Sequence, residues 1–252
     1  PAFEYEKTAV LMPQDASSEL RAAVGAALSH PRLRSTATQS VDDAATGPPD
    51  TRVIAVSWPH PPALTLHFEQ FYPRARLSFT DGLTPLEIAV KLLPPLSGDV
   101  ALSQRDPRWA HHRFGEDPRS TLGAYGCFVT VAAIALRRVY QTDVTPPLLD
   151  QLMVNARHAF VVGNLLDWVG FCNLFSRLSD PVKTNTSPSL SSLATMLPSH
   201  IVILRRQDGA HFVYLESVDD PALLVIDPWT GQRRRWTADQ YAGYRAARIL
   251  SR

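Results

Sequence analysis

The feature that most constrains this chain is a series of short apolar runs toward its C-terminal end, each separated from the next by turn-forming residues. Ile201-Val-Ile-Leu204, His211-Phe-Val-Tyr-Leu215, Leu223-Leu-Val-Ile-Asp227 and the stretch Gln232 to Thr237 read as strands. Asp208-Gly209, Asp219-Asp220-Pro221 and Pro228-Trp-Thr-Gly231 lie between them. Runs this close together, joined by tight-turn chemistry, predict an antiparallel meander. A hairpin closing symmetrically about Asp219 sets Leu215 against Leu223, Val213 against Val225 and His211 against Asp227. Directly opposed Cβ atoms lie about 4.5–5.5 Å apart, within reach of an imidazole–carboxylate hydrogen bond. A connection of the other parity would send the two side chains to opposite faces.

A second feature precedes the meander: Gly123-Ala-Tyr-Gly-Cys127-Phe-Val-Thr130. From Cys127 onward, Val131, Ala135, Leu136 and Val139 recur at helical spacing, with Arg137 and Arg138 on the other side. Gly126 suits a sharp entry into that helix, because it bears no Cβ penalty for an unusual φ. Cys127 is then expected at a helix N-terminus, where unpaired N–H groups and the dipole favour the thiolate, the reactive form of cysteine. The bland reading of the same residue is a small buried hydrophobe. Cys172 takes that reading, since it shares an apolar face with Leu165, Trp168 and Val169 on a helix expected from Asn164 to Phe175.

Gln104, in Leu102-Ser-Gln-Arg-Asp-Pro-Arg-Trp109, admits two readings: a surface polar residue, or an amide aimed at a substrate carbonyl. Trp109 is expected as a core anchor and His111-His112 as a solvated pair. Further helices are expected from about Leu148 to Ala156 and from Leu190 to Leu197, with Lys183 to Ser192 mostly loop. The first third alternates strands and helices, which predicts a small α/β layer with a largely parallel sheet over residues 1–97. Thr84-Pro85-Leu86-Glu87 carries the chemistry of a helix start, and Pro94-Pro95 a stop. His60 and His67 read as solvated. The whole is expected to be α+β, with the helix cluster and antiparallel sheet over residues 98–252.

Composition narrows the function. The 252 residues are 45% hydrophobic, ample for a core, and Lys+Arg 25 against Asp+Glu 24 leaves a net charge of +1. That balance gives no electrostatic reason to expect nucleic acid or an anionic membrane as partner. No run is apolar enough over the length of a bilayer, and no charged segment leads into an apolar leader, so a soluble chain, secreted or cytoplasmic, is expected. The 2 cysteines make no disulfide framework. They and the histidines show no C-x-x-C or H-x-x-x-H spacing, so no metal is expected. With no glycine-rich dinucleotide or phosphate loop, no cofactor is expected either.

What remains is a thiol at a helix start, a histidine and an aspartate on neighbouring strands, and a glutamine upstream. Together they make an acyl-transfer kit: base-assisted nucleophile, oriented base and oxyanion donor. Ser-Gln104-Arg-Asp-Pro-Arg-Trp109, Gly-Ala-Tyr-Gly-Cys127 with Thr130, Ala-His211-Phe-Val and Asp227-Pro-Trp-Thr-Gly231 resemble, in order, the four signature blocks of the bacteriocin-processing peptidase-like cysteine peptidases. These are papain-like proteins related to the domains that cut leader peptides after a double glycine. The resemblance spans about Leu102 to Gly231 and leaves the region before residue 98 outside. It implies a papain-like fold and a cysteine-type peptidase acting on a peptide or protein. In that reading Cys127 is the nucleophile, His211 the base, Asp227 the orienting acid and Gln104 the oxyanion side chain. The sequence carries no ABC-transporter portion, and Pro198-Ser199-His200 stands where many relatives have glycine-proline. Two other classes stay open: another acyl transferase or amidase with the same triad (transglutaminase-like or peptide-thiol transferase), and a peptide-binding relative without turnover. No catalytic position is replaced, which argues against the last.

Overall fold

The computed structural model describes residues 7–11, 16–30, 36–39, 51–55, 77–79, 83–115, 117, 119–155, 160–162, 165–175, 178, 182–183, 188–206, 211–219, 221–242 and 244–251. The chain divides into two compact units, Pro1–Pro94 and Pro95–Arg252.

In the first unit the described elements are β1 (Lys7–Leu11), α1 (Ser18–Leu28), β2 (Thr36–Gln39), β3 (Thr51–Ala55), β4 (Leu77–Phe79) and α2 (Pro85–Leu92). The strands form one sheet in the order β2-β1-β3-β4, and every pairing is parallel. Parallel neighbours need crossovers, which is why apolar runs and helical stretches alternate here. Ser17 caps α1 by accepting the Leu20 N–H at 3.1 Å, and Thr84 caps α2 by accepting the Glu87 N–H at 3.2 Å, with Pro85 in the first turn. The two helices pack together, α1 burying Leu20, Ala23, Val24, Ala26 and Ala27. His60 and His67, read as solvated, fall outside the described residues, as do residues 41–50.

The second unit opens with α3 (Leu122–Tyr125), α4 (Cys127–Tyr140) and α5 (Pro146–Asn155). Helix α4 is buried on every side from Cys127 to Arg137 and packs against α5 and the sheet. The solvent face expected around Arg137 is therefore absent at that residue. Its guanidinium is buried in an ion pair with Asp143, and it also donates to the Asp99 carbonyl at 3.1 Å. The entry to α4 also differs from expectation. Gly126 has an ordinary φ of −81°. Glycine is required there by close approach, since an added Cβ would lie 2.6 Å from the Leu122 carbonyl oxygen, and one at Gly123 would lie 2.8 Å from that of Ala110.

Next come β5 (Phe160–Val162), β6 (Leu165–Leu166), α6 (Trp168–Asn173), β7 (Val182–Lys183) and α7 (Leu190–Met196). The helix expected from Asn164 begins only at Trp168, because Asp167 caps it, accepting the Val169 N–H at 3.0 Å, while Leu165–Leu166 pairs with β5. Cys172 is fully buried on α6.

The chain ends in β8 (His200–Arg206), β9 (Phe212–Asp219), β10 (Ala222–Asp227), β11 (Gln232–Trp236), α8 (Ala238–Ala242) and β12 (Tyr244–Ser251). These strands form the meander, and with β7 they make an antiparallel sheet in the order β11-β10-β9-β8-β12-β7. The unit is therefore α+β. Val202, Leu204, Val213, Leu215, Leu223 and Val225 share one core cluster with Leu193 of α7, Trp236 and Tyr241. The Asp208-Gly209 turn signal falls outside the described residues. No helix among the described residues is long and apolar enough to cross a membrane.

The β9–β10 register departs from the expected one. Asp219 pairs with Ala222, Leu223 with Val218 and Leu224 with Ser217, so the connection has even parity. Left uninterrupted, that register would turn His211 away from Asp227. A bulge intervenes: Val225 pairs with Leu215 and Ile226 with Tyr214, leaving Glu216 as an extra residue in β9. One inserted residue cancels one step of parity. Carried one step further, the register sets Asp227 across from Val213, with His211 two residues along on the same face. The bulge is gripped from across β10, since Arg233 of β11 donates to both Glu216 carboxylate oxygens at 2.6 and 2.8 Å and also pairs with Asp99.

The turn after β10 is fastened to the segment that carries Gln104. The Gln104 N–H donates to the Pro228 carbonyl at 2.7 Å and the Ser103 hydroxyl to that of Trp229 at 3.3 Å. Gly231 closes the turn at φ +71°, and a Cβ there would come within 3.0 Å of Ser103. Gly231→Ala combines a left-handed penalty of about 1–2 kcal/mol with that contact. A loss of stability of at least that order is expected in urea unfolding followed by tryptophan fluorescence.

Candidate active site

Cys127 is the first residue of α4, directly after Gly126, and is 9% exposed, whereas Cys172 shows no exposed surface. His211 immediately precedes β9, with Nε2 2.9 Å from Asp227 Oδ1. The same oxygen accepts the Trp229 N–H at 2.9 Å, and Arg234 Nε lies 3.8 Å from Oδ2. The Cys127 sulfur lies near enough to His211 to act on its charge. With Nε2 committed to Asp227, Nδ1 is the ring nitrogen left for the sulfur. Three of the four expected site residues therefore lie together, His211 bonded to Asp227 and close to Cys127.

The electrostatics follow from those contacts. Burial alone would lower the His211 pKa, but the bond to Asp227 and the nearby Cys127 sulfur outweigh it and raise the ring from 6.5 to about 9. Burial alone would raise the Asp227 carboxyl, but the His211 bond and the Trp229 N–H hold it below the ordinary carboxylate range.

Gln104 is 1% exposed, so the surface reading does not hold. Its Nε2 donates to the Gly123 carbonyl, in the turn before Cys127, at 3.1 Å, and its Oε1 has no partner. An amide carries two N–H groups, and the Gly123 bond occupies one. Gln104 thus touches both sides of the site, through Pro228 beside Asp227 and through Gly123 beside Cys127.

Several participants were not visible in the sequence. Trp229 stands edge-on to His211, with ring centroids 6.4 Å apart, and the Arg105 guanidinium lies 3.3 Å from the Trp229 ring centroid. His112, read as solvated, instead has Nε2 3.1 Å from Asp150, whose other oxygen accepts the Gly115 N–H at 2.9 Å. That buried carboxylate ties the loop before α3 to α5. Trp109 is the core anchor expected, with its indole N–H donated to the Ser103 carbonyl at 2.8 Å. The bulge at Glu216 does have a sequence signal. The core-facing residues run Val213, Leu215, Val218, and the step from two to three breaks the strand period.

Among the described residues, no three His, Cys, Asp or Glu side chains come together in a way that would hold a metal ion. The chain matches no protein-family model and no curated protein sequence.

The raised His211 value sets a pH window. A group whose folded pKa lies above its unfolded one stabilises fully below the unfolded value, here 6.5, and loses that contribution as pH rises through about 9. In NMR titration the His211 ring is expected to lose its proton near pH 9. Deleting Glu216 should bring the transition back toward 6.5 by turning the ring off Asp227, whereas Glu216→Ala, which keeps the residue count, should leave it high. An unchanged value in the deletion variant would mean that the bulge is not what joins the pair.

Proposed function

We propose that residues 98–252 form a papain-like cysteine peptidase domain that hydrolyses peptide bonds in a peptide or protein. The observation that carries this reading is the His211–Asp227 hydrogen bond close to the Cys127 thiol, which stands at the mouth of a buried helix. In this mechanism the proton shared by sulfur and imidazole resides on His211, which Asp227 favours, and the thiolate attacks the scissile carbonyl. Negative charge then develops on the carbonyl oxygen. The remaining Gln104 N–H and the Cys127 backbone N–H are the donors proposed to receive it. As the tetrahedral intermediate collapses, His211 gives its proton to the departing amine, and an acyl group stays on Cys127. Water, deprotonated by the now neutral His211, attacks that thioester and releases the acid. Asp227 holds the ring on Nε2 throughout, leaving Nδ1 to carry the proton back and forth.

The reading is tested by incubating the protein with a mixture of denatured proteins and examining the products by mass spectrometry. New termini that have gained one water are expected, and none with Cys127→Ala. Products joined to an added amine instead would identify an acyl transferase.

Gln104 supplies the finer prediction. An oxyanion donor acts on charge present only in the transition state, and loss of one such donor costs about 10²–10³ in rate. Gln104→Ala is expected to show a fall of that order in turnover. Alkylation of Cys127 by iodoacetamide should be nearly unchanged, because no carbonyl oxyanion forms in that reaction. Parallel collapse of both rates would make Gln104 a structural support of the thiol.

A further inference from the structure

Arg105 follows Gln104 directly in the chain and is exposed, with its guanidinium seated on the Trp229 ring at 3.3 Å from the centroid. The neighbouring carboxylates are taken. Asp106 is held by Arg108 through two side-chain bonds at 3.0 and 2.7 Å, and Asp227 by His211, Trp229 and Arg234. Among the described residues no carboxylate pairs with Arg105. A stacked guanidinium keeps its N–H groups in its own plane, directed past the rim of the ring, so the planar fork that suits a carboxylate remains open.

The location gives this charge a use. Trp229 stands edge-on to His211, 6.4 Å between ring centroids. In the proposed mechanism His211 hands its proton to the departing amine, so the leaving segment begins beside that ring. An extended peptide advances about 3.3–3.6 Å per residue. The distance from His211 to Trp229 therefore corresponds to the first or second residue beyond the scissile bond. We infer that Arg105, presented on Trp229, is a specificity-determining residue that receives a carboxylate at one of those two positions on the leaving-group side. This rests on the peptidase reading for its directionality. The carboxylate can be an Asp or Glu side chain or the C-terminus of the substrate chain.

Two measurements test it. In the first, the full chain digests a peptide library with acidic, neutral and basic residues varied around every potential cleavage site, each peptide made with a free and with an amidated C-terminus. Acidic residues in the two positions after the cut are expected to be favoured about 10-fold over neutral ones, the scale of a hydrogen-bonded charge pair. Arg105→Lys should keep part of this preference and Arg105→Glu should reverse it toward Lys and Arg. If the preference instead follows the free C-terminus and vanishes on amidation, the chain terminus is the source. The second measurement needs no turnover. It compares alkylation of Cys127 by iodoacetate, which bears a carboxylate, with alkylation by neutral iodoacetamide. The ratio of the two rates should fall severalfold in Arg105→Glu. Cleavage by the wild type with no acidic or C-terminal preference overturns the carboxylate site while leaving the peptidase reading intact. If the wild type cuts nothing, the peptidase reading fails and the alkylation ratio decides alone: a fall upholds the carboxylate site and an unchanged ratio overturns it.

Discussion

The hydrogen bond between His211 and Asp227 depends on a count of residues. Side chains alternate along a strand, so whether two of them meet across a hairpin is decided by parity. The even connection between β9 and β10 would put the histidine and the aspartate on opposite faces, and the extra residue Glu216 returns them to the same one. A bulge alone could slide. This one is held by the Arg233 fork, which spans Glu216 and Asp99, and its bond to Asp99 keeps that carboxyl near a pKa of about 2. The ion pair is half-exposed and its direct energy is modest. Its importance lies in where it fastens the backbone.

Asp227 concentrates two tasks on one atom. Oδ1 accepts from the imidazole and from the Trp229 N–H, while the Asp227 carbonyl accepts from Gly231 at 2.7 Å. The turn that follows β10 is thereby wound around the same residue that orients the histidine. Gln104 and Ser103 dock onto that turn through backbone groups. A change in the turn therefore moves Gln104 and His211 together, and substitutions in these segments should not act additively.

Much of this was legible from the chain alone. Turn residues between β-branched runs revealed the meander, the glycine–cysteine block followed by helical spacing placed Cys127 at the start of α4, and Thr84-Pro85 marked the start of α2. What was not legible has a common cause: a partner distant in sequence. Arg137 reads as a solvent-facing charge until Asp143 and the Asp99 carbonyl surround it. Gly126 reads as a residue needing an unusual φ, although its constraint is the Leu122 carbonyl pressed against it. The stacking of Arg105 on Trp229 and the His112–Asp150 contact leave no local trace in composition or period. The hairpin register differs from the expected one because the connection moves Leu223 from Leu215 to Val218 and the bulge takes back one residue, so that Val225 meets Leu215 and the parity is restored. The change of spacing at Leu215 and Val218 was the available clue.

The site is divided along the chain. Gln104 and Cys127 belong to the loop and helix side, which leave the ribosome first, whereas His211 and Asp227 lie on strands made later. Until those strands are synthesised and paired, the Cys127 thiol has neither His211 nor Asp227 beside it. A growing chain therefore carries an incomplete set of reactive groups, and closure of the β9–β10 hairpin, bulge included, is the event that completes it. In the proposed mechanism, folding itself thus separates synthesis of this protein from the onset of its chemistry.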